Sequence, residues 1–385
     1  MKYNLSDICD YAKGKIDVAV LDEDTYISTE NMMPNKGGIT RASSLPTVAQ
    51  TQSFSAGDVL VSNIRPYFKK IWFAEYDGGC SNDVLVFRAK DGVSKRFLYY
   101  VLADDTFFDY SMASSKGTKM PRGDKAAIMK YEVPDFAYEE QKKIARLLEV
   151  LDRKIQLNTE INENLAEQVS ALYENWFIDN ADPSWEKVPL SDLIFFQEGP
   201  GIRNWQYVTS DGVKFINIRC ISDGDINTST SNMISEEEAY GKYAHFLLQP
   251  YDIVMSCSGT LGRYAIVRPD HLPLCLNTSV IRFRPKLDFK DYSFVYGYMT
   301  SNVFLQQQTI MANGSAQVNF GPTHIKQIKI INPPVELRYE FNNVVMPFID
   351  HMINMRSENI KLAQIRDTLL SKLMSGELDI SDIDL

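Results

Sequence analysis

The chain has 385 residues, 44% of them apolar and 23% charged, with 50 acidic against 40 basic residues and a net charge of −10. That length calls for two or more globular domains, the composition excludes a low-complexity chain, and the overall acidity speaks against a uniformly basic nucleic-acid binder. No apolar run approaches the roughly 18 residues of a membrane span, the N-terminal MKYNLSDICD has no apolar signal region, and the 5 cysteines form no CxxC pair, so a cytoplasmic protein with reduced thiols and no metal site is expected.

Residues 1–138 read as a mixed, strand-rich domain. DVLVS (58–62) and VLVFRA (84–89) are short β-branched runs bounded by Gly, Asp, Asn and Ser, as strands are. KRFLYYVLADDTFFDYSM (95–112) predicts one helix, and Pro134 closes the domain. Residues 139–180 then predict a first long helix, with no Gly or Pro from Glu139 to Asp179. Apolar residues or Asn fall at Ile144, Leu148, Leu151, Ile155, Asn158, Asn162, Leu165, Val169, Leu172 and Trp176. This alternating 4,3 spacing is a coiled-coil seam.

Residues 181–334 repeat the first domain in order. YNLSDICDYAKG (3–14) returns as VPLSDLIFFQEG (188–199), GDVLVS as YDIVMS (251–256), CSNDVLVFRAK as CLNTSVIRFRPK (275–286), and KGTKM as NGSAQ (313–317). YSFVYGYMTSNVFLQQQ (292–308) again predicts one helix, and Pro333 and Pro334 close this half. Each mixed segment is near neutral, with 17 basic against 18 acidic residues in the first and 13 against 14 in the second. Residues 335–385 predict a second long helix with an acidic tail. Its seam is Phe341, Val345, Phe348, Met352, Met355, Asn359, Leu362, Arg366, Leu369 and Leu373. Pro347 predicts a kink or a late start. A helix of about 40 residues is about 60 Å long and cannot bury its stripe in one small domain, so the two are expected to pack antiparallel as a stalk. An Asn in a seam tends to fix register and partner. The fold class expected is α+β: two similar mixed α/β domains separated by a pair of long antiparallel coiled-coil helices, with an internal pseudo-two-fold duplication.

This order of parts, with the DVLVS and DIVMS strands, the KGTKM and NGSAQ loops, the entry VPDFAYEEQKKIARLLEVLD and the terminal SKLMSGEL, resembles the specificity subunit of type I restriction-modification enzymes over the full length. The resemblance implies that each mixed domain is a target recognition domain reading half of a split, asymmetric site in double-stranded DNA. It implies helices that set the spacer and dock two methyltransferase subunits, which carry S-adenosylmethionine and methylate adenine. It implies motor-nuclease subunits that use ATP and Mg, and a chain that is not itself an enzyme and binds no cofactor. Readers on one duplex face stand about one helical turn apart, roughly 34–36 Å, or a multiple, and a stiff helical pair measures such a distance.

Base reading calls for Arg or Lys at guanine and Asn or Gln at adenine, from loops rather than strand interiors. In the first domain these are Lys116, Gly117, Thr118, Lys119 and Arg122 of SSKGTKMPR, with Asn63, Arg65, Lys69 and Lys70 of SNIRPYFKK, and Arg41 as a weaker nominee. In the second they are Asn313, Gly314, Ser315, Gln317 and Asn319, with Ser258, Thr260 and Arg263, and Arg203 as a weaker nominee. Gly117 and Gly314 are expected to permit a turn or a close approach to phosphate. NPPV (332–335) and DPSW (182–185) fall short of an amino-methyltransferase motif, and no GxxxxGK[ST] occurs. His245, His271, His324 and His351 show no metal-ligand spacing and read as structural or surface residues. The rival reading is a non-enzymatic coiled-coil adapter whose paired domains bind protein partners.

Overall fold

Val59–Ser62 and Ile253–Ser256 are buried at every position because their sheets are covered on both faces. In the first domain Val59 and Val61 face a cluster of helical side chains, while Leu60 faces Phe54, Ala74 and Cys80. In the second, Ile253 and Met255 face the helices and Val254 faces Ile216, Val267 and Leu274. The alternation of side chains along a strand sends neighbours into different cores, so a continuous apolar run is what such a strand requires.

The computed structural model describes residues 2–117, 119–222, 224–229, 231–312 and 319–378. It divides into two units, Met1–Ile155 with Lys361–Leu385, and Gln156–Ile360. Both long helices are divided between the units, each of which holds one mixed domain.

The first unit holds an antiparallel sheet in the order Cys9–Tyr11, Val84–Ala89, Val59–Ser62, Ile71–Phe73. The second holds its counterpart, Ile194–Glu198, Val280–Pro285, Ile253–Ser256, Tyr264–Ile266. The repeated LSD explains itself here. A short strand (Lys2–Asn4, or Lys187–Pro189) pairs with the strand that ends the domain, and one helical turn (Leu5–Ile8, or Leu190–Leu193) then buries its leucines. The repeated Phe-Arg is also structural. Arg88 Nε and Nη2 donate to Asp58 at 2.8 and 2.6 Å, and Arg284 Nε and Nη2 donate to Asp252 at 2.7 and 2.8 Å.

The second sheet of each domain has diverged. Gly78–Cys80 lies inside its sheet, between Gln50–Phe54 and Tyr26–Ile27. The equivalent Leu274–Leu276 is an edge strand, parallel to Gly212–Ile216.

Each segment expected to be one helix is two. Lys95–Ala103 stops at Asp104, whose extended backbone and side chain, accepting from Thr106 N at 2.8 Å, start Asp105–Ala113. Tyr292–Thr300 stops at Ser301, whose Oγ accepts from Phe304 N at 3.3 Å and caps Asn302–Ala312. A short polar side chain competes with the helical ladder and wins at such positions. Gly297, inside the first of these two, lies against Tyr173, and a Cβ there would come within 2.5 Å of the ring.

The first long helix is Tyr138–Glu174, closed by a π-helical turn Asn175–Asp179. The second is Val335–Ser375 and runs through Pro347, so the late start expected from that proline does not occur. Pro347 is exposed while Val345 and Ile349 on either side are buried, and that burial offsets the lost backbone bond. Its buried stripe in the second unit is Phe341, Val345, Ile349, Met352, Ile353 and Met355, with Phe348 half-buried. In the first unit Leu370 and Leu373 are buried and Leu369 is half-buried. The stripe is broader than a two-position seam because it also faces domain core.

Within each unit the helices run antiparallel. In the first, Ile144 and Leu148 share a cluster with Leu370 and Leu373, while Asp152 accepts from Arg366 Nη1 at 2.7 Å. In the second, Tyr173 and Phe177 meet Phe341, while Asn158, fully buried, donates to Glu358 at 2.7 Å and Asn359 at 2.8 Å. Asn162 is buried beside it, and Leu151, Ile155, Leu165, Leu172, Trp176 and Leu362 are half-buried.

Candidate nucleic-acid interface

The two loops nominated in the first domain lie more than forty residues apart in sequence and form one surface. Arg65 N donates to Pro121 O at 2.8 Å, Gly123 N donates to Asn63 O at 3.4 Å, and Ile64 pairs with Arg122 as an antiparallel bridge. The 116–122 loop closes on itself through Lys116 and Arg122, each donating its N–H to the other's carbonyl. Gly117 has φ +95°, which L side chains rarely adopt, so the turn requires glycine there. Arg65 and Lys69 are also left-handed, at φ 51° and 50°, and bracket the turn Pro66–Phe68.

The second domain builds the same surface from equivalent positions. Asn63 N donates to Asp83 O at 2.8 Å, and Cys257 N donates to Ser279 O at 3.0 Å. Ile64 bridges to Arg122, and Ser258 bridges to Asn319. Phe320 N donates to Cys257 O at 2.8 Å, as Gly123 N does to Asn63 O. Thr260 and Arg263 are exposed on this loop, and Thr260 O accepts from Ser256 Oγ at 2.6 Å. Thr118, Asn313, Gly314, Ser315 and Gln317 lie outside the described residues.

Side chains sort the nominees further. Asn63 is buried and Lys70 turns inward, donating to Thr29 O at 2.6 Å, with burial lowering its pKa. Their contribution is to hold the loop, which corrects their placement at the surface. Lys69, Lys116 and Arg122 remain outward but each rests on a carboxylate: Asp105 at 2.8 Å, Asp124 at 2.8 Å and Asp83 at 3.0 Å. Asp124 raises the Lys116 pKa, and Lys116 in turn lowers that of Asp124. Burial would raise the Asp105 carboxyl, but Lys69 and Lys36 outweigh it and hold it low. Lys119 is exposed. Arg41 pairs with Glu23 and Asp24, and Arg203 is exposed beside the turn Asn204–Gln206.

Sequence reasoning missed the acidic partners. Asp83 was findable, because it stands where the repeat has Ser279. Lys36 was not: its side chain is 8% exposed and joins Asp105 to Asp367, residues distant in sequence. It also missed Arg219, exposed on the turn Ile218–Cys220, whose Ile218 side chain would lie 3.3 Å from a Cβ at Gly259. Among the described residues no helix is long and apolar enough to cross a membrane, and no group of His, Cys, Asp and Glu could hold a metal ion.

The chain matches the type I restriction modification DNA specificity domain twice, over residues 1–167 and 183–362. It is 26% identical over 315 residues to the type I restriction enzyme MjaIX specificity subunit of Methanocaldococcus jannaschii, covering 76% of this chain and 71% of that one. It is 23% identical to the type I restriction enzyme HindI specificity subunit of Haemophilus influenzae, over 98% of this chain and 99% of that one. The crystal structure of the type I restriction-modification system S subunit from M. genitalium has the same fold, with a TM-score of 0.53 at 16% identity, covering 99% of this chain and 96% of that one.

Proposed function

The chain belongs to the type I restriction-modification DNA specificity family, and from that premise we propose that it is the sequence-reading subunit of such a complex, each mixed domain reading one half of a split, asymmetric DNA site. The observation that carries this is the convergence of two remote loops on one exposed surface, built twice from equivalent backbone bonds. The two surfaces carry different side chains, so the halves of the site differ. In this reading Arg65, Lys69, Lys116, Lys119 and Arg122 serve the first half, and Ser258, Thr260, Arg263 and Asn319 the second. Thr118, Asn313, Ser315 and Gln317, outside the described residues, are proposed for the same role from their sequence positions alone.

The paired helices set the spacer and offer docking sites for two methyltransferase subunits. Those partners bring S-adenosylmethionine to adenine, and motor-nuclease subunits bring ATP and Mg. The chain itself catalyses nothing, binds no cofactor and works in the cytoplasm. Because Lys69, Lys116 and Arg122 of the first domain are already paired, its own hold on DNA is weak and salt-dependent, and tight binding belongs to the assembly.

The test is a methylome. This chain is co-expressed with a methyltransferase subunit of such a system, in a host without adenine methylation, and the modified DNA is sequenced. A split motif with a fixed spacer, of which exchange of one domain alters only one half, is the expected result. An assembled complex that methylates nothing overturns the reading and favours the protein-binding adapter.

A further inference from the structure

Arg122 and Asn319 occupy the same position. Each pairs across a bridge with the residue two beyond the end of an equivalent strand, Ile64 after Val59–Ser62 and Ser258 after Ile253–Ser256. Asp83 and Ser279 are likewise equivalent, each accepting the backbone N–H that precedes the bridge, from Asn63 and from Cys257. The chemistry at the paired positions differs. Arg122 is 54% exposed, and its Nη2 lies 3.0 and 3.2 Å from the two oxygens of Asp83. Ser279 turns its hydroxyl to Asn277 at 3.0 Å, and Asn319 is exposed, with no carboxylate hydrogen-bonded to it among the described residues.

We propose that this position reads a base in both domains, Arg122 steered by Asp83 onto a guanine and Asn319 onto an adenine; the proposal rests on the DNA-reading function above. Three points support it. The carboxylate holds Nη2, which keeps a second proton beside an Nη1 and an Nε uncommitted among the described residues, and guanine offers two adjacent acceptors, N7 and O6, to such an edge. A carboxylate beside the arginine also repels phosphate, which favours a base edge over the backbone. A neutral amide with one donor side and one acceptor side matches N7 and the N6 amine of adenine, and needs no carboxylate to orient it. Asp83 is a positioning residue in this scheme, acting through Arg122.

The experiment is the methylome of the assembled complex with Arg122→Ala, Arg122→Lys, Asp83→Asn and Asn319→Ala. The wild-type motif should hold a G·C pair in one half that Arg122→Ala makes degenerate, with discrimination falling about 5- to 100-fold and the other half unchanged. Arg122→Lys keeps the charge and the loop, so overall methylation should persist while the same position relaxes. Asp83→Asn should relax that position more weakly, with DNA affinity at or above wild type because a negative charge is gone. A merely structural role for Asp83 would lower affinity instead. Asn319→Ala should relax a single A·T pair in the other half. Uniform loss of methylation at an unchanged motif in the arginine variants means a phosphate contact, and overturns the proposal while the recognition function stands. A wild-type complex that assembles and yields no split motif overturns both.

Discussion

In the first domain Lys69, Lys116 and Arg122 each rest on a carboxylate, whereas in the second Arg219 and Arg263 are exposed and pair with none among the described residues. Beneath these surfaces the domains are alike: the same sheet order, the same capped helix break, and the same Asp–Arg pair under the central strands. The difference shows what duplication preserves. Asp58 and Asp252 have side chains only 3% and 1% exposed, so losing either arginine strands a buried charge, and the pair is held in both copies. Asp83 is 37% exposed and water can replace its partner, so its counterpart is free to become Ser279.

The largest expected effect tests that explanation directly. Arg88→Ala should destabilise its half by about 3 kcal/mol, because Asp58 is left buried without a cation. Arg284→Ala should cost less, since Arg282 Nη1 stays 3.6 Å from Asp252. Denaturant unfolding of both variants decides it, and equal losses would break the argument.

The seams offer a second contrast. Asn158→Ala removes the donor to Glu358 and Asn359 and should destabilise by about 1–3 kcal/mol, with little dependence on salt. Arg366→Met removes the partner of Asp152, and its smaller loss should shrink further as salt rises, because both side chains of that pair reach solvent, at 17% and 29% exposure. Unfolding midpoints at low and high salt would separate the two.

A smaller effect concerns the exposed pairs. Asp124→Asn should free Lys116, raise DNA binding by the complex a few-fold, and steepen the dependence of log affinity on log salt by about one. No change in slope would mean that Lys116 faces no phosphate.

The smallest effect is shared by both domains. Burial pushes the Cys9, Cys80, Cys257 and Cys275 thiols up to about 12, and raises that of Cys220 as well. At pH 8 the first four should hold about a thousandfold less thiolate than free cysteine and resist alkylation until the chain unfolds. Rapid labelling of Cys257, which stands where the first domain has Asn63, would show that the second domain's loop opens.

The sequence by itself determined the repeat, the central strands, the two long helices and their antiparallel pairing. All of these are written in local periodicity, in apolar runs, 4,3 spacing and punctuating Gly and Pro, and burial enforces them wherever they occur. That Asn158, rather than Asn162, faces Asn359 was decided by the tertiary structure, since the sequence offers both as seam residues. The helix breaks at Asp104 and Ser301 were legible only as two short polar residues, since a cap and an interior residue look alike until the backbone chooses. The tertiary structure alone decided that the loops at 63–70 and 116–122 meet, that Asn63 and Lys70 turn inward, and that Asp83 holds Arg122 across 39 residues of chain. Such pairings depend on where non-local strands place their ends. Each contributes too little to leave a pattern in the sequence, yet together they set which side chains remain outward.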